Sequence, residues 1–207
     1  FDLDFKTGYN ADLPLNLDLT LGGGSIPGIT DLVYAGAGAS GKIRVDANAA
    51  WTVGEALAKL HMLTAYGVEF VEQPIAPADH EGLRRLKNAG VLPIVADESC
   101  VRPGDVAALV GCVDGINIKL SKCGGIREGL RMIQLARAAG MKVMLGCMIE
   151  SSLGIAAAAQ LAPLADWLDL DGHLLLADDP FTGLGGSRGR LTVGMDPGLG
   201  VRTTQET

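Results

Sequence analysis

Three acidic residues and one lysine mark four successive apolar runs of the chain. Asp46, Glu72 and Asp97 close the first three runs, and Lys119 lies in the fourth, at separations of 26, 25 and 22 residues. A step of this size accommodates one strand, one helix and two turns. The spacing therefore predicts a repeated βα unit that delivers all four side chains to the same end of a parallel sheet.

Three carboxylates at one sheet edge repel one another unless a cation neutralises them. Oxygen ligands without His or Cys suit Mg²⁺, so Asp46, Glu72 and Asp97 are predicted to bind Mg²⁺. The alternative interpretation is that each acid caps the helix that follows it. Both alternatives leave the acids at the carboxyl ends of strands.

The side chain of Lys119 is predicted to point to the inner face of the curved sheet, into the barrel. Alternate strand residues share a face, so Lys119 lies with Asn117 and Ser121, opposite the apolar Ile116 and Ile118. An ammonium is costly to bury without a purpose. A metal that faces it suggests a chemistry: the metal holds a substrate carboxylate and stabilises the enediolate formed when a base removes the α-proton. A lysine can be that base if its pKa is lowered.

The elements that must position these residues alternate regularly. A capping box of Thr52 and Glu55 opens one helix, and Ile126, Leu130, Ile133 and Leu135 are predicted as the apolar stripe of a later one. Six or more such units close most naturally into a (β/α) barrel, the predicted fold class. The β-rich runs are 42–48, 68–74, 93–99, 115–121, 142–148 and 167–172, and the other helical patterns are 79–89, 103–111 and 152–161.

The two ends of the chain do not follow this pattern. Residues 1–41 stay unassigned, as remnants of an N-terminal capping domain and of early barrel strands. Within them 13–21 could form a strand, and the glycine-rich stretch 21–41 is predicted to be either a loop or not a continuous stretch of chain. Residues 42–184 are predicted to be the barrel units and 185–207 a segment that leaves the barrel.

The bulk composition narrows the classes of partner and compartment. The net charge is −7 without a Lys/Arg-rich run, which argues against nucleic-acid binding. No apolar stretch reaches about 20 residues, and no signal peptide is recognisable at a start that lacks Met and so reads as trimmed. The four cysteines form no C-x-x-C pair, so we expect ordinary buried thiols in a reducing cytoplasm. Homo-oligomerisation stays open.

The motifs together resemble the enolase superfamily, in its muconate-lactonizing subgroup, and are most similar to dipeptide epimerases of the L-Ala-D/L-Glu type. The resemblance implies Asp46, Glu72 and Asp97 as Mg²⁺ ligands and Lys119 as one of two acid/base lysines. The segments that carry it are VDAN (45–48), VEQP (71–74), ADES (96–99), NIKLSKCGG (117–125), GCMIESSLG (146–154) and DLDGHLLL (169–176).

The same resemblance implies residues for a dipeptide substrate. Asp169 and Asp171 would hold its α-ammonium, the alternative being a solvated strand end. Glu150 and Ser151 would line the pocket, the alternative for Ser151 being a helix cap. His173 is interpreted as structural. Lys122, of opposite strand parity to Lys119, is interpreted as a loop charge.

One departure from the family pattern bears on function. The family carries a K-x-K motif on the strand before Asp46, and residues 15–21 offer Asn16 and Asp18 instead. The sequence is therefore interpreted as pieces of a longer chain joined across gaps, the alternatives being a fragment or a rearranged product. The alternatives to a dipeptide epimerase are a sibling activity (o-succinylbenzoate synthase, muconate cycloisomerase or N-acylamino acid racemase) and a non-catalytic remnant without the second lysine.

Overall fold

Six parallel strands form the body of the sheet. The computed structural model describes the backbone of residues 34–37 and residues 43–185, 191–194 and 197–204. All six predicted strands are present, neighbours in chain order, and all mutually parallel, so the predicted βα architecture is confirmed. The strands are β2 (Ile43–Asp46), β3 (Val68–Glu72), β4 (Ile94–Ala96), β5 (Gly115–Lys119), β6 (Lys142–Gly146) and β7 (Trp167–Leu168).

A seventh strand, β1 (Tyr34–Ala37), pairs with β2 in the antiparallel direction. The prediction of a loop for the whole of 21–41 is therefore wrong for these four residues. Exposed backbone groups at the edge of β2 can recruit a short neighbouring segment whatever its intrinsic propensity. The strand considered for 13–21 lies outside the described residues.

Helices connect the successive parallel strands. The predicted capping box is confirmed, since Thr52 Oγ1 accepts from the Glu55 amide at 3.3 Å and the Thr52 amide donates to Glu55 Oε2 at 2.7 Å. Asp79 caps the second helix at the Gly82 amide, 2.8 Å away. The helices are α1 (Val53–Thr64), α2 (His80–Ala89), α3 (Pro103–Val106), α4 (Leu120–Cys123), α5 (Ile126–Ala138) and α6 (Ser152–Ala159).

The two faces of the sheet bury different residue sets. Alternate residues such as Val45, Ile116, Ile118 and Leu145 pack with the helices in one large core. The opposite face carries a small apolar cluster of Phe70, Val95, Met144 and the half-buried Trp167. The rings of Phe70 and Trp167 are 4.6 Å apart between centroids. This second face is the interior of the curled sheet.

The buried stripe of α5 differs from the predicted one. Ile126, Leu130 and Leu135 are exposed, and only Ile133 of the predicted set is buried. The helix instead packs through small residues, because a Cβ at Gly129 would lie 2.7 Å from the Leu120 side chain. The buried residues of α5 are Gly129, Met132, Ile133 and Ala136.

The last described residues form two small antiparallel pairs outside the main sheet. Strand β8 (Phe181–Thr182) pairs with β11 (Arg202–Thr203), and β9 (Leu184–Gly185) pairs with β10 (Thr192–Val193). The predicted domain limits at 41 and 185 stay predictions. No helix in the described part of the chain has the length and apolar character needed to span a membrane.

Candidate active site

The four predicted polar residues lie at the carboxyl ends of neighbouring parallel strands. Asp46 ends β2 and is in register with Glu72, which ends β3. Asp97 directly follows β4, and Lys119 ends β5. Glu72 and Asp97 are only 5% and 1% exposed. The fold thus brings the set together at one edge of the sheet.

The three carboxylates lie within electrostatic reach of one another. Burial is the main cause that raises the pKa of Asp46 to about 6, and the charges of Asp97 and Glu98 act in the same direction. Burial, followed by the charges of Asp46 and Asp97, also raises the pKa of Glu72. Such a set of buried carboxylate oxygens fits a hard divalent cation, which would relieve both the desolvation and the repulsion.

Coordination geometry is not preassembled at this cluster. Within residues 43–185, 191–194 and 197–204, no three His, Cys, Asp or Glu side chains are arranged to hold a metal ion. Lys119 Nζ donates to Asp97 Oδ2 at 2.8 Å, and Lys122 Nζ donates to both Asp97 oxygens at 2.9 Å. Both oxygens of Asp97 therefore accept from ammonium groups in this structure.

The contact of Lys122 corrects its interpretation as a loop charge. Strand β5 ends at Lys119, and the chain turns directly into the short helix α4. A three-residue step in a helix returns to the same side, so Lys122 lies beside Lys119 with its side chain 25% exposed. Ser121, predicted to share a strand face with Lys119, is exposed in α4.

Lys119 is held in its protonated form. Burial alone would lower its pKa, but the charge and hydrogen bond of Asp97, together with the charges of Glu72 and Asp46, raise it above the ordinary value for lysine. The lowering of the lysine pKa that a nearby dication would cause stays a prediction. As it stands, Lys119 is a proton donor at neutral pH.

Asn117 orients the Glu72 carboxylate of the cluster. Its Nδ2 donates to Glu72 Oε1 at 2.6 Å, and the residue is 2% exposed. Its Oδ1 is buried without a hydrogen-bond partner among the described residues. A Cβ at Gly146 would lie 2.5 Å from that oxygen, so glycine is required for β6 to approach.

Gln73 ties the end of β3 to the segment that carries Asp97. It is fully buried and adopts a left-handed backbone conformation, with φ of 32°. Its Oε1 accepts from the amides of Asp97 and Ser99 at 3.0 and 3.1 Å. Its Nε2 donates to the Ile75 carbonyl at 2.9 Å and to Ser99 Oγ at 2.8 Å. Every polar atom of the side chain is thus satisfied.

Asp169 and Asp171 follow β7 rather than lying in it, because that strand ends at Leu168. The Asp169 amide donates to the Leu145 carbonyl at 2.9 Å, and Asp171 precedes a 3-10 turn at Gly172–Leu175. Burial, then the charge of Asp171, raises the pKa of Asp169 to about 7, while Lys119 and Arg44 oppose the rise and Asp46 adds to it. Burial also raises the pKa of Asp171.

The turn after Asp171 is packed against the end of β6. The Gly172 amide donates to Cys147 Sγ at 3.3 Å, and a Cβ at Gly172 would clash with the Met148 carbonyl oxygen. Burial, followed by the charge of Asp169, raises the pKa of the Cys147 thiol to about 12. The Cys147 thiol is therefore protonated at neutral pH and is not a nucleophile.

Glu150 and Ser151 lie in the loop before α6. Glu150 Oε1 accepts from the Met148 amide at 3.1 Å. Ser151 is the N-cap residue of α6, but its side chain makes no capping hydrogen bond, and Asp179 accepts from the Ser152 amide at 2.8 Å instead. His173 is half-buried, and burial lowers its pKa. The roles of Glu150 and Ser151 stay predictions.

Sequence reasoning missed three residues that organise the site. Lys122 was hidden by strand parity, although its spacing from Lys119 is helical. Gln73 follows the last residue of β3, Glu72, and strand alternation gave no reason to assign it a role. Arg44 lies two residues before Asp46 on the same strand, and only the structure shows that it reaches across to β7. Asn48 is exposed in a turn, where its amide donates to Asp46 Oδ1 at 2.9 Å.

The chain belongs to the enolase C-terminal domain-like family, whose model matches residues 30–207. It is 48% identical over 141 residues to an L-Ala-D/L-amino acid epimerase of Maribacter sp. The aligned residues make up 68% of this chain and 42% of that relative. It is 46% identical over 160 residues to an L-Ala-D/L-Glu epimerase of Bacteroides thetaiotaomicron, with coverages of 77% and 42%. The predicted resemblance to dipeptide epimerases is confirmed.

Solved structures give the same similarity. A dipeptide epimerase from Enterococcus faecalis, complexed with Mg and the dipeptide L-Leu-L-Tyr, matches with a TM-score of 0.74 and 43% identity, over 79% of this chain and 49% of that one. A dipeptide epimerase from Cytophaga hutchinsonii, complexed with Mg and D-Ala-L-Val, matches with a TM-score of 0.76 and 35% identity, over 82% and 48%. The chain spans about half the length of the relatives it matches.

Proposed function

We propose that the protein carrying this chain is a Mg²⁺-dependent dipeptide epimerase. The observation that carries the proposal is the contact of Lys119 with a buried carboxylate of a three-acid cluster at one edge of a parallel sheet. The similarity to epimerases complexed with Mg and dipeptides supports it. Since the chain spans about half of those relatives, the activity of the whole protein is inferred.

The ligands proposed for Mg²⁺ are Asp46, Glu72 and Asp97. Bound there, the ion would supply positive charge to a substrate carboxylate as the adjacent α-proton is removed. Asn117 keeps Glu72 oriented, and Gln73 fixes the backbone amides on either side of Glu98. The residues around the cluster thus hold two of the three ligands in place.

The group proposed to move the proton is the Nζ of Lys119. It is protonated while Asp97 is its partner, so in this state it can donate a proton to one face of the α-carbon. To act as a base it must lose a proton, which requires that the negative charge around it be neutralised. Epimerisation needs a second acid/base group on the opposite face of the carbon.

The groups proposed to recognise a free amine are Asp169 and Asp171. Both follow the last parallel strand, and Asp169 is within electrostatic reach of Lys119 and Asp46. A dipeptide presents its carboxylate and its ammonium at opposite ends, with the reactive α-carbon next to the carboxylate. Two carboxylates that follow β7, two strands beyond Lys119 in the sheet order, suit that arrangement.

The second candidate is a non-catalytic protein that binds a cation. The observation in its favour is that β1 pairs with β2 and has the sequence YAGA, without a lysine. Under this alternative Lys119 has no partner on the opposite face of the α-carbon. Mg²⁺ would then still bind and raise the stability of the protein.

The experiment is to incubate the protein with a panel of L,L-dipeptides and Mg²⁺ and to separate the diastereomers chromatographically. The proposal predicts a second diastereomer, its loss on removal of Mg²⁺ by EDTA, and its return when Mg²⁺ is restored. Lys119→Met should lower the rate by about 10²–10⁴-fold, as expected for a general acid–base group. Mg²⁺ binding without turnover of any dipeptide would contradict the proposal and favour the second candidate.

A further inference from the structure

Arg44 connects the first and last of the parallel strands across the sheet interior. It lies on β2, and its Nη1 donates to the Leu168 carbonyl on β7 at 3.3 Å. Four strands, β3 to β6, separate β2 from β7 in the sheet order. The contact therefore spans the concave side of the curled sheet and does not follow the hydrogen-bond ladder.

The guanidinium group is fixed by two further contacts. Arg44 Nε donates to Glu69 Oε2 at 3.0 Å, with side chains that are 17% and 16% exposed. The guanidinium carbon is 5.4 Å from the centroid of the Phe70 ring, which packs in turn against the Trp167 ring at an interplanar angle of 46°. A planar group held at an edge and on a face has little rotational freedom.

The carbonyl that Arg44 contacts belongs to the residue immediately before Asp169. On the opposite side, the Asp169 amide donates to the Leu145 carbonyl of β6. Strand β7 has only two residues, so it offers few ladder hydrogen bonds of its own. The start of the Asp169–Asp171 segment is thus fixed from β6 on one side and from Arg44 on the other.

Arg44 also supplies positive charge to this segment. The charges that act on Asp169 come from Asp171, Lys119, Arg44 and Asp46, and Asp169 in turn acts on the Cys147 thiol. Arg44 and Lys119 are the two cations that counteract the rise in the pKa of Asp169 caused by burial and by Asp171. Loss of the Arg44 charge would favour the neutral form of Asp169, which binds an ammonium more weakly.

We propose that Arg44 is a positioning residue for the Asp169–Asp171 pair, which it orients from the opposite wall of the barrel for recognition of a substrate ammonium. This inference rests on the proposed function of the pair. It predicts that replacement of Arg44 weakens the binding of substrates with a free amine. The binding of Mg²⁺ and of ligands without a free amine should not change.

The test compares Arg44→Met and Arg44→Lys with the wild-type protein. We measure KM and kcat for a free dipeptide, the inhibition constant of its N-acetylated form, and the affinity for Mg²⁺ by calorimetry. Arg44→Met should raise the dipeptide KM by roughly tenfold or more. The inhibition constant and the Mg²⁺ affinity should stay within about twofold, since the contacts of Arg44 are to Glu69, Phe70 and Leu168 and not to the proposed metal ligands. Arg44→Lys keeps the charge and should recover part of the loss.

The control for general destabilisation is Val95→Ala. Val95 is fully buried in the same interior cluster as Phe70, and its apolar side chain cannot donate a hydrogen bond to the Leu168 carbonyl. An equal rise in KM for Val95→Ala, or a wild-type KM for Arg44→Met, would overturn the inference while the proposed function stands. Failure of the wild-type protein to epimerise any dipeptide would instead refute the proposed function on which the inference rests.

Discussion

Gln73 offers a stringent test of how the site is held together. Replacement by Met keeps the size of the side chain but removes all four of its hydrogen bonds. The amides of Asp97 and Ser99 then lose their acceptor, and the Ile75 carbonyl loses its donor. Since these groups are buried, water cannot replace Gln73 without opening the loop.

The expected loss can be estimated from the two orphaned amides. A buried donor left without a partner costs about 1–3 kcal/mol, so the two orphaned amides of Gln73→Met should lower the free energy of unfolding by about 2–6 kcal/mol. The Ser99 hydroxyl keeps a second partner, the Pro77 carbonyl at 3.0 Å, and adds little. The affinity for Mg²⁺ should fall in parallel, because Asp97 is anchored through its amide.

The assay is urea unfolding in EDTA, followed by Mg²⁺ titration of the folded variant. Gln160→Met is the matched control, since Gln160 is exposed at the end of α6, and it should change stability by no more than about 0.5 kcal/mol. Gln73→Glu keeps an acceptor for both amides and should lose less than Gln73→Met. If the two Met variants have equal stability, or if Gln73→Met binds Mg²⁺ as tightly as wild type, the network does not organise the site.

Three further outcomes follow from the same geometry. Asp171→Asn should lower kcat/KM for a free dipeptide by about one to two decades and leave inhibition by the N-acetylated dipeptide unchanged; an equal loss on both ligands would remove the ammonium role. Asn117→Asp, which places a fourth carboxylate against Glu72, should lower stability in EDTA more than in excess Mg²⁺, measured by thermal unfolding; equal losses would place the cation elsewhere. The pKa of Asp169 is raised to about 7, so its contribution to stability is present at low pH and is lost as the pH rises through about 7. Its charge forms over the same interval, so the dipeptide KM should fall between pH 6 and 7.5, below the titration of a substrate amine near about 8, and a KM that is flat over this interval would contradict the assignment.

The parallel strands could be predicted because each combines an apolar run with a polar residue at its carboxyl end. The buried face of α5 could not, since periodicity favoured Leu130 and Leu135, and the small side chains of Gly129 and Ala136 decide the packing. A local sequence pattern reports only which residues are hydrophobic. How closely a helix packs depends also on the small volume of side chains such as those of Gly129 and Ala136.

The set of candidate ligands also followed from the sequence, but their supporting contacts did not. Lys122 reaches Asp97 because the chain turns into a helix one residue after Lys119, and element boundaries are poorly defined by sequence. Arg44 and Leu168 are far apart along the chain, so their contact depends on the curvature of the whole sheet. Such long-range contacts have no local signal.

The most direct test of the central claim is exchange of the substrate α-proton with solvent. A dipeptide is incubated with the protein and Mg²⁺ in D₂O, and the α-proton of its C-terminal residue is followed by NMR. We expect this signal to be lost as the proton exchanges. The exchange should stop in EDTA, and in Lys119→Met it should stop for at least one of the two stereoisomers. Lys142→Met is the control, since Lys142 is 58% exposed and begins β6 at the other end of the strand, and it should exchange at the wild-type rate. Exchange from both stereoisomers at the wild-type rate in Lys119→Met, or no exchange in the wild-type protein with Mg²⁺, would contradict the account.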